Sequence, residues 1–330
     1  MGRVLGLALV LLQTPAPAPV APRGIAARYP GDGGIAHDPA VLFASGFEQG
    51  FEGWTSVNTR IASIQREEAR AHSGTAFARL TATRGVDTGG EVALRLREGV
   101  DRLHLRFACR FDRDTCWPHH FVKLRALKPL FRGHAGVAPP GDQGFWTGIE
   151  PLRGTWRFYT YWHAMRGWNN PGDQAVNDDG TPNTGQQDFY GNSFTPDGQS
   201  PVPRDAWICV EVMLQANTPG RSDGEQAFWI DGREVGRYAP GVPVGTWQRN
   251  VFVTSGPRNT RPTPFEGFDF RTDPGLKINE IALHWYVSKE YAALGTSDRN
   301  VVDFDDVVVA TEYIGPRTPG QDPRGSGGSR

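Results

Sequence analysis

The stretch from Trp207 to Val235 reads WICVEVMLQANTPGRSDGEQAFWIDGREV and is typical of two β-strands joined by a polar turn. Side chains alternate between the faces of a strand, so residues two apart share a face. One face of the first strand is uniformly apolar: Ile208, Val210, Val212 and Leu214. The opposite face of the hairpin carries aromatic residues beside polar ones, including Glu211 and Trp229. This pattern predicts a β-sandwich with one core face and one face whose chemistry suits sugar binding.

The composition supports an all-β protein and gives no indication of nucleic acid or an anionic membrane as a partner. The chain has 330 residues with 41 Gly and 26 Pro, which suits many turns between short strands. Its formal net charge is −1, so no overall positive field favours nucleic acid or an anionic membrane. The ten Trp residues are numerous enough to serve both a core and the stacking of sugar rings.

The N-terminus has the pattern of a secretory signal, which we assign to residues 1–24. Arg3 precedes the apolar run VLGLALVLL at 4–12, which is too short to cross a bilayer. No later segment is apolar for long enough to be a membrane span. The sequence therefore predicts a secreted or periplasmic protein.

Beyond the signal, the sequence predicts one domain. We expect a flexible lead-in at 25–40, a single jelly-roll β-sandwich at 41–315 and a disordered tail at 316–330. Two long loops, 127–144 and 164–206, are expected to form walls over a cleft. Strands are predicted at 61–67, 75–83, 91–97, 102–111, 119–125, 145–150, 155–163, 207–215, 226–231, 247–253, 277–287 and 301–313.

The cysteines and the acidic turns leave two points open. Secretion would permit one disulfide among Cys109, Cys116 and Cys209, but their spacing selects no pair. No cofactor is required by any motif. Structural calcium is possible at Asp-rich segments, since carboxylate oxygens suit that ion; these are Asp178, Asp179 and Gly180, and Asp303, Asp305 and Asp306.

Four predicted strands carry rows of polar side chains opposite an apolar face. The rows are Arg157, Tyr159, Tyr161 and His163; His119, Phe121, Lys123 and Arg125; His104, Arg106 and Arg110; and Glu280, His284 and Tyr286. We expect several of these rows to line one concave sheet. Such a local cluster of cations would pair with the carboxylates of an acidic polysaccharide.

Several motifs resemble those of the polysaccharide lyase family 14 alginate and glucuronan lyases. They are FVKL at 121–124, YTYW at 159–162, GNSF at 191–194 and the W…E…NTPG…DG…WIDG block at 207–232, within a resemblance that spans roughly residues 100–310. The resemblance implies a concanavalin-like jelly roll of two antiparallel sheets. It also implies functional roles for Lys123, Tyr159 and Tyr161. The chain departs from the family pattern in its strand GFWTGIEP, which has no Arg and a single hydroxyl residue, Thr147.

The implied reaction is β-elimination at a uronic acid. A cation offsets the substrate carboxylate, a base removes the C5 proton, and an acid protonates the O4 leaving group. We assign base and acid to Tyr159 or Tyr161 with a pKa lowered by nearby cations, and neutralisation to Lys123 or Arg157, assisted by His163 or His119. Substrate contacts are predicted at Arg106, His119, Arg125, Trp146, Glu211, Trp229 and His284.

Two other functions remain open at this stage. A glycoside hydrolase on the same fold would need two flanking carboxylates, for which Glu150, Glu211, Glu225 and Glu280 are the candidates. A non-catalytic carbohydrate-binding or surface protein would use exposed aromatic platforms, for which Trp146, Trp168, Trp207 and Trp229 are the candidates. The oligomeric state is not set by any motif.

Overall fold

A computed structural model describes residues 24–168 and 189–319, and they form an all-β protein, as predicted. The predicted signal segment, the Asp178–Asp179 turn and most of the predicted tail lie outside these residues. The strands are β1 Val41–Ser45, β2 Ser56–Val57, β3 Ala62–Arg66, β4 Ala76–Thr83, β5 Gly89–Val100, β6 Arg102–Phe111, β7 Lys123–Leu127, β8 Gly144–Leu152, β9 Thr155–Tyr161, β10 Asn192–Phe194, β11 Ile208–Gln215, β12 Glu225–Ile230, β13 Arg233–Tyr238, β14 Val244–Gln248, β15 Val251–Val253, β16 Thr263–Pro264, β17 Ile278–Tyr286 and β18 Arg299–Ala310.

Two sheets form the sandwich. The eight-stranded sheet has the order β13-β12-β11-β6-β18-β4-β3, with β1 also paired to β18. The ten-stranded sheet has the order β16-β14-β15-β10-β9-β8-β7-β17-β5-β2. Neighbouring strands are antiparallel except β10 and β15, which run parallel. Sequential strands often lie in different sheets, which is the connectivity of a jelly roll.

The core lies between the inner faces of the two sheets. The apolar face of the 207–235 hairpin is buried there as predicted, and Phe228 of β12 packs edge-on against Phe158 of β9 at 5.2 Å. The core also holds a cluster of polar side chains, in which Thr147 Oγ1 and Thr160 Oγ1 both donate to Gln226 Oε1, at 2.9 and 3.0 Å. Thr147 therefore faces the interior and takes no part in any surface site.

The segment 25–40, which the sequence analysis predicted as a flexible lead-in, packs against the outer face of the eight-stranded sheet. It forms three short 3-10 turns, Ile25–Arg28, Pro30–Asp32 and Ile35–His37. Ile25 and Ile35 are buried against Ile314 in a small apolar cluster over the outer face of β18. Contacts with residues near the C-terminal end of the described chain hold this segment in place, since Ala26 N donates to Ile314 O at 2.8 Å. Residues 316–319, predicted as part of the tail, also make contacts there, since Gly31 N donates to Thr318 O.

This cover changes the meaning of the polar face of the 207–235 hairpin. Glu211 is only 2% exposed and accepts hydrogen bonds from Ile314 N and Gly315 N, both at 2.8 Å. Its Oε1 atom also lies 2.9 Å from His104 Nδ1. Arg106, which is 1% exposed, pairs with Asp32. The face predicted to bind sugar is thus a second buried layer, because residues 25–40 and the segment around Ile314 fold over it.

Strand boundaries were predicted within a few residues for most of the chain, with some exceptions. The predicted strand 119–125 begins only at Lys123, and the predicted strand 247–253 is two strands, β14 and β15. The sequence reading missed β2, β10, β13 and β16, and also the single helix, α1 Lys289–Leu294. These elements are short or lie at sheet edges, where few residues carry the alternating pattern.

The cysteines form no disulfide, since Cys109, Cys116 and Cys209 are all free thiols. Burial raises the pKa of the Cys109 thiol, which keeps it protonated. Within 24–168 and 189–319, no helix has the length and apolar character needed to cross a bilayer.

One buried ion-pair network should dominate stability on the outer side of the eight-stranded sheet. Asp303 is fully buried and accepts hydrogen bonds from Arg79 Nε at 2.7 Å and Arg110 Nη2 at 2.7 Å. We expect Asp303→Ala to lower the free energy of unfolding by about 3–5 kcal/mol, because it leaves two guanidinium groups with no carboxylate. Chemical denaturation would measure the change.

The exposed pair between Arg84 and Asp298 is the matched control, since the Asp298 side chain is 82% exposed. We expect Asp298→Asn to change stability by at most about 1 kcal/mol. A similar small effect for Asp303→Ala would contradict the assigned role of the buried network.

Candidate active site

A groove with a volume of about 520 Å³ crosses the outer face of the ten-stranded sheet. Its walls come from β5, β7, β8, β9 and β17, and from the loop between β7 and β8. The lining residues are Ser56, Glu91, Ala93, Arg95, His120, Lys123, Arg125, Leu127, Phe131, Arg132, Gly133, His134, Ala135, Trp146, Glu150, Tyr159, Tyr161 and Glu280.

The strand register arranges the sheet positions of this groove in three parallel rows. The floor row runs across the strands through Ser56, Ala93, Ala282, Lys123, Gly148 and Tyr159. The first wall row contains Arg95, Glu280, Arg125, Trp146 and Tyr161. The second wall row contains Glu91, His284, Glu150 and Arg157. Because most of the floor side chains are small, the floor row forms a trough between two taller walls.

Gly148 opens the trough between Lys123 and Tyr159. It pairs with Lys123 on β7 and with Tyr159 on β9, so it separates these two side chains on the same face. A Cβ atom at this position would lie no closer than 3.5 Å to Glu150 Oε1. The space above Gly148 is therefore free, and a sugar ring could lie there between the amine and the phenol.

The loop after β7 closes one side of the trough, as the sequence analysis expected of a wall. At Gly133 a Cβ atom would lie 2.4 Å from the Trp146 ring, so the loop backbone rests directly on that ring. Trp146 in turn stacks on Tyr161, with ring centroids 4.6 Å apart and planes at 19°. These rings offer a rigid aromatic wall of the kind that packs against the apolar faces of sugars.

Tyr159 is held by a close backbone approach. A Cβ atom at Gly191 would lie 2.5 Å from the Tyr159 ring, so only glycine fits there. This explains the first residue of the GNSF motif. Its second residue, Asn192, is fully buried and bonds Arg166 N and Arg166 O, each at 2.8 Å, which fixes the strand beside β9.

A histidine–carboxylate pair lies beside Tyr159. His120 Nδ1 is 2.7 Å from Glu150 Oε1, and the His120 and Tyr159 ring centroids are 5.2 Å apart. Arg157 Nη2 donates to Glu150 Oε2 at 2.9 Å. Burial alone would raise the pKa of Glu150, but His120 and Arg157 outweigh it and lower that pKa. Glu150 is therefore ionised and fixes the orientation of the imidazole.

Lys123 is a cation that no carboxylate neutralises. Its ammonium has no hydrogen-bond or ion-pair partner among the described residues. Burial, and after it the nearby positive charge of Arg125, lower the pKa of Lys123 to about 8 against the opposing effects of Glu150 and Glu91. An anion bound in the trough would relieve this penalty by pairing with the ammonium.

The pKa values of Tyr159 and Tyr161 are raised, whereas the sequence analysis expected them to be lowered. Burial raises the pKa of Tyr159, and its neighbour Tyr161 raises it further. Burial also raises the pKa of Tyr161. The sequence analysis expected cations to lower these pKa values, but Arg157 and Arg125 are each already paired with glutamates. Both phenols are thus protonated at neutral pH and suited to donating a proton.

The structure brings together Lys123, Arg125, Trp146, Tyr159 and Tyr161 in the groove, with Arg157 directly behind Tyr159. His284 lies next to them on β17. Its pKa is well below the usual value because of burial and the charge of Lys123, so its ring is neutral.

Five other predicted site residues lie away from the groove. His119 packs against Tyr286 and Tyr291, and His163 lies 3.4 Å from Asp269. Arg106, Glu211 and Trp229 belong to the eight-stranded sheet and are covered by the chain ends.

Sequence reasoning did not place His120 in the site, nor Glu91 and Arg95 of β5, although all three line the groove. A strict alternation counted back from Lys123 put Phe121 and His119 on its face. Phe121 and Val122 are both fully buried, so alternation stops before β7 begins. The two successive apolar residues Phe121 and Val122 were the available signal that the strand had not yet started.

No protein-family model matches the chain. Among curated proteins, a probable β-galactosidase C of Sclerotinia sclerotiorum matches over 106 residues at 26% identity. The match covers 31% of this chain and 10% of that protein, so the chain spans about a tenth of the relative's length.

Solved structures resemble the chain over most of its length. An alginate lyase from a Chlorella virus has a TM-score of 0.51 and 12% identity, covering 82% of this chain and 99% of that one. The chain shares its fold with that lyase. An alginate lyase from Aplysia kurodai has a TM-score of 0.49 and 12% identity, with 82% and 99% of the two chains covered. A glucuronan lyase from Trichoderma reesei has a TM-score of 0.44 and 17% identity, with 79% and 92% covered. Because the identities are low, the likeness concerns the fold.

The acidic segments considered for calcium have protein partners where they are described. Asp303 pairs with two arginines, and Asp306 bonds His72 Nδ1 at 2.5 Å and Ser73 Oγ at 2.6 Å. In the two described ranges, 24–168 and 189–319, no three His, Cys, Asp or Glu side chains are grouped as metal ligands.

The low pKa of Lys123 can be tested without any substrate. The chain has four lysines, so ¹³C-methylation of the amines gives few NMR resonances to follow. We expect one resonance to titrate near pH 8 and to be missing from the Lys123→Arg variant. If the resonance that disappears in Lys123→Arg does not titrate near that pH, the amine is not desolvated as the structure indicates.

Proposed function

We propose that this protein is a polysaccharide lyase that cleaves a uronic-acid polysaccharide by β-elimination. The observation that carries the proposal is the unpaired Lys123 ammonium facing Tyr159 across the open position at Gly148. A uronate carboxylate needs a cation, and its C5 proton and O4 atom need a base and an acid close by. Lys123 and Tyr159 lie on β7 and β9 on either side of Gly148, and His120 packs beside Tyr159, so the trough brings a cation, a base and an acid to one place. We also propose, from the apolar run at 4–12, that the protein acts outside the cytoplasm.

Lys123 is assigned to the substrate carboxylate. Pairing with the ammonium withdraws charge from the carboxylate and stabilises the enolate-like state that forms when C5 loses its proton. Arg157 and Arg125, the other cations considered, are each bound to buried or half-buried glutamates. Lys123 is thus the cation that can reach the substrate without breaking an existing ion pair.

His120 is assigned as the base. Its Nδ1–H donates to Glu150, so the neutral ring keeps a lone pair on Nε2. In the proposed step Nε2 takes the C5 proton, and the C5–H electron pair forms the C4–C5 double bond. The C4–O4 bond then breaks with its electron pair on O4. This role replaces the one that the sequence analysis gave to a tyrosine.

Tyr159 is assigned as the acid that protonates O4. Its raised pKa keeps the phenol protonated until a stronger base, the departing oxygen, forms beside it. The resulting phenolate recovers a proton from the imidazolium or from water, which returns both residues to their starting states. Tyr161, stacked on Trp146, contributes the sugar-packing wall.

Glycoside hydrolysis is less well supported by the same groove. It needs one carboxylic acid that stays protonated near neutral pH. Glu91 and Glu150 both have lowered pKa values, because arginine or histidine partners outweigh the effect of burial. Glu211 and Glu225 belong to the other sheet. Elimination makes use of the tyrosines and the free lysine, whereas hydrolysis would leave them without a role.

Substitutions in the trough should abolish the unsaturated product while the protein stays folded. We expect Tyr159→Phe and His120→Ala each to lower kcat by about 10²-fold or more, since each removes a proton-transfer group. The readout is the ultraviolet absorbance of the product double bond on a panel of uronate polymers.

Tyr313→Phe is the matched control, because Tyr313 packs on the other sheet beside Trp229 and His104. It should leave the rate unchanged. Binding of the polymers with no absorbing product would show a carbohydrate-binding protein instead. New reducing ends without the double bond would show a hydrolase.

The pH dependence of kcat/KM should reflect the protonation of the Lys123 amine. Its folded-state pKa is lowered to about 8, so the ammonium loses its proton as the pH rises through that value. We expect kcat/KM to fall above about pH 8, because the free enzyme then lacks the charge that binds the substrate carboxylate. In Lys123→Arg this fall should move to higher pH, because a guanidinium stays protonated. A profile that is still rising above pH 8 would reverse the assignment and make the neutral amine the base.

A further inference from the structure

One end of the trough is lined by a continuous chain of ion pairs, which we call the Arg–Glu ladder. It consists of Arg95, Glu280, Arg125 and Glu91 on the adjacent strands β5, β17 and β7. Arg95 Nη2 lies 2.6 Å from Glu280 Oε2, and Arg125 Nη1 lies 2.8 Å from Glu280 Oε1. Arg125 also binds Glu91 with both terminal nitrogens, at 3.1 and 2.6 Å.

The register shows where the ladder lies relative to the floor. Arg125 belongs to the first wall row on β7, and Glu91 belongs to the second wall row on β5. The line between them passes over Ala282 of β17, whose methyl group leaves room for it. The pair therefore spans the trough immediately beside Lys123, and a chain extending from Lys123 toward β5 must lie against it.

The ladder leaves the groove with little free positive charge. The lining residues include four cations, Arg95, Lys123, Arg125 and Arg132, and three carboxylates, Glu91, Glu150 and Glu280. Arg95 and Arg125 are paired within the ladder, and Arg132 is an exposed loop residue that donates to backbone carbonyls. Lys123 is the remaining cation on the floor.

This charge pattern discriminates between kinds of acidic polymer. Strands lie about 4.8 Å apart, so a sugar chain crossing them places roughly one ring over each strand. A polymer of uronates alone would bring a further carboxylate close to Glu280 and Glu91. Like charges placed together at an interface select against that partner. A neutral sugar instead offers hydroxyl groups, which donate to carboxylates and accept from the outer N–H groups of arginines.

A second substrate carboxylate would still be disfavoured if it displaced the glutamates from their arginines. The Glu280 side chain is 10% exposed and binds two arginines. A substrate carboxylate that took over Arg125 would leave this buried charge without one of its partners, which is unfavourable. The ladder is thus better suited to remaining intact beneath the substrate.

We propose that the substrate presents one uronate at Lys123 and a neutral sugar at the adjacent position over the Arg–Glu ladder. The substrate class is then a polysaccharide in which uronates alternate with neutral sugars, rather than a homopolymer of uronates. This inference rests on the proposed lyase function for the position of the reacting uronate, but it makes a separate claim about binding.

The first experiment compares oligosaccharides of equal length that differ in charge density. Alginate and polyglucuronate fragments would represent homopolymers, and fragments of hyaluronan and unsulfated heparosan would represent glucuronate alternating with a neutral amino sugar. Binding to the wild-type protein would be measured by calorimetry at two salt concentrations, beside product absorbance. We expect at least one alternating oligosaccharide to bind about tenfold more tightly than every homopolymer fragment. Equal or tighter binding of a homopolymer would overturn the proposal.

The second experiment removes charge from the ladder. Glu91→Gln keeps the shape of the side chain and one acceptor for Arg125, but frees positive charge beside Lys123. We expect affinity for the homopolymer fragments to rise about tenfold, and affinity for alternating fragments to change little. The matched control is Glu234→Gln, which removes a carboxylate from the Arg237 pair on the other sheet and should affect neither class. Unchanged homopolymer affinity in Glu91→Gln would count against the ladder as the discriminating element.

Glu280→Gln serves as the second ladder variant if Glu91→Gln does not fold, with the same expected gain. The results distinguish a failure of the proposed lyase function from a failure of the inference about the substrate. Selective binding of alternating fragments with no absorbing product from any polymer would reject the lyase and keep the inference about substrate. Product from homopolymers at the higher rate would keep the lyase and reject the inference.

Discussion

Cross-strand register in the ten-stranded sheet is the constraint on which the groove depends. Side chains on one face repeat every two residues, and paired residues on neighbouring strands lie side by side. Lys123, Gly148 and Tyr159 come from three strands but share one row for this reason. A shift of one residue on β8 would turn Gly148 inward and place Thr147 in the trough. The core bond from Thr147 to Gln226 of the opposite sheet opposes such a shift.

The charged groups above that sheet are organised by pairing rather than by net charge. Almost every arginine near the trough is bound to a glutamate, and the pKa values of two of these glutamates are lowered, that of Glu91 by Arg125 and that of Glu150 by His120 and Arg157. Lys123 has no such partner among the described residues, and burial together with the charge of Arg125 lowers its pKa to about 8. Among the described residues, the trough thus has one lysine without an ion pair within a dense network of paired charges.

The fold was predictable from sequence because long central strands carry a clear alternating pattern. The 207–235 hairpin and β6 show this well, since their apolar faces are buried as expected. The motifs around Lys123 and Tyr159 fall on one face of one sheet, where the structure has a groove. The pattern could not show what covers a polar face, so Arg106, Glu211 and Trp229 were placed in a site. It also could not give pKa values, because burial of Tyr159 depends on Gly191 and other residues distant in sequence.

The cover over the eight-stranded sheet links segments from the two ends of the described chain. Thr318 and Ala26 are bonded across 292 residues of sequence, and β1 pairs with β18 next to them. Contacts between such distant segments form late in folding, because closing a long loop costs entropy that local contacts do not repay. His104 and Glu211 would therefore remain solvated while the two sheets assemble. Their burial would be the closing step, made when the last strand and the first turns meet.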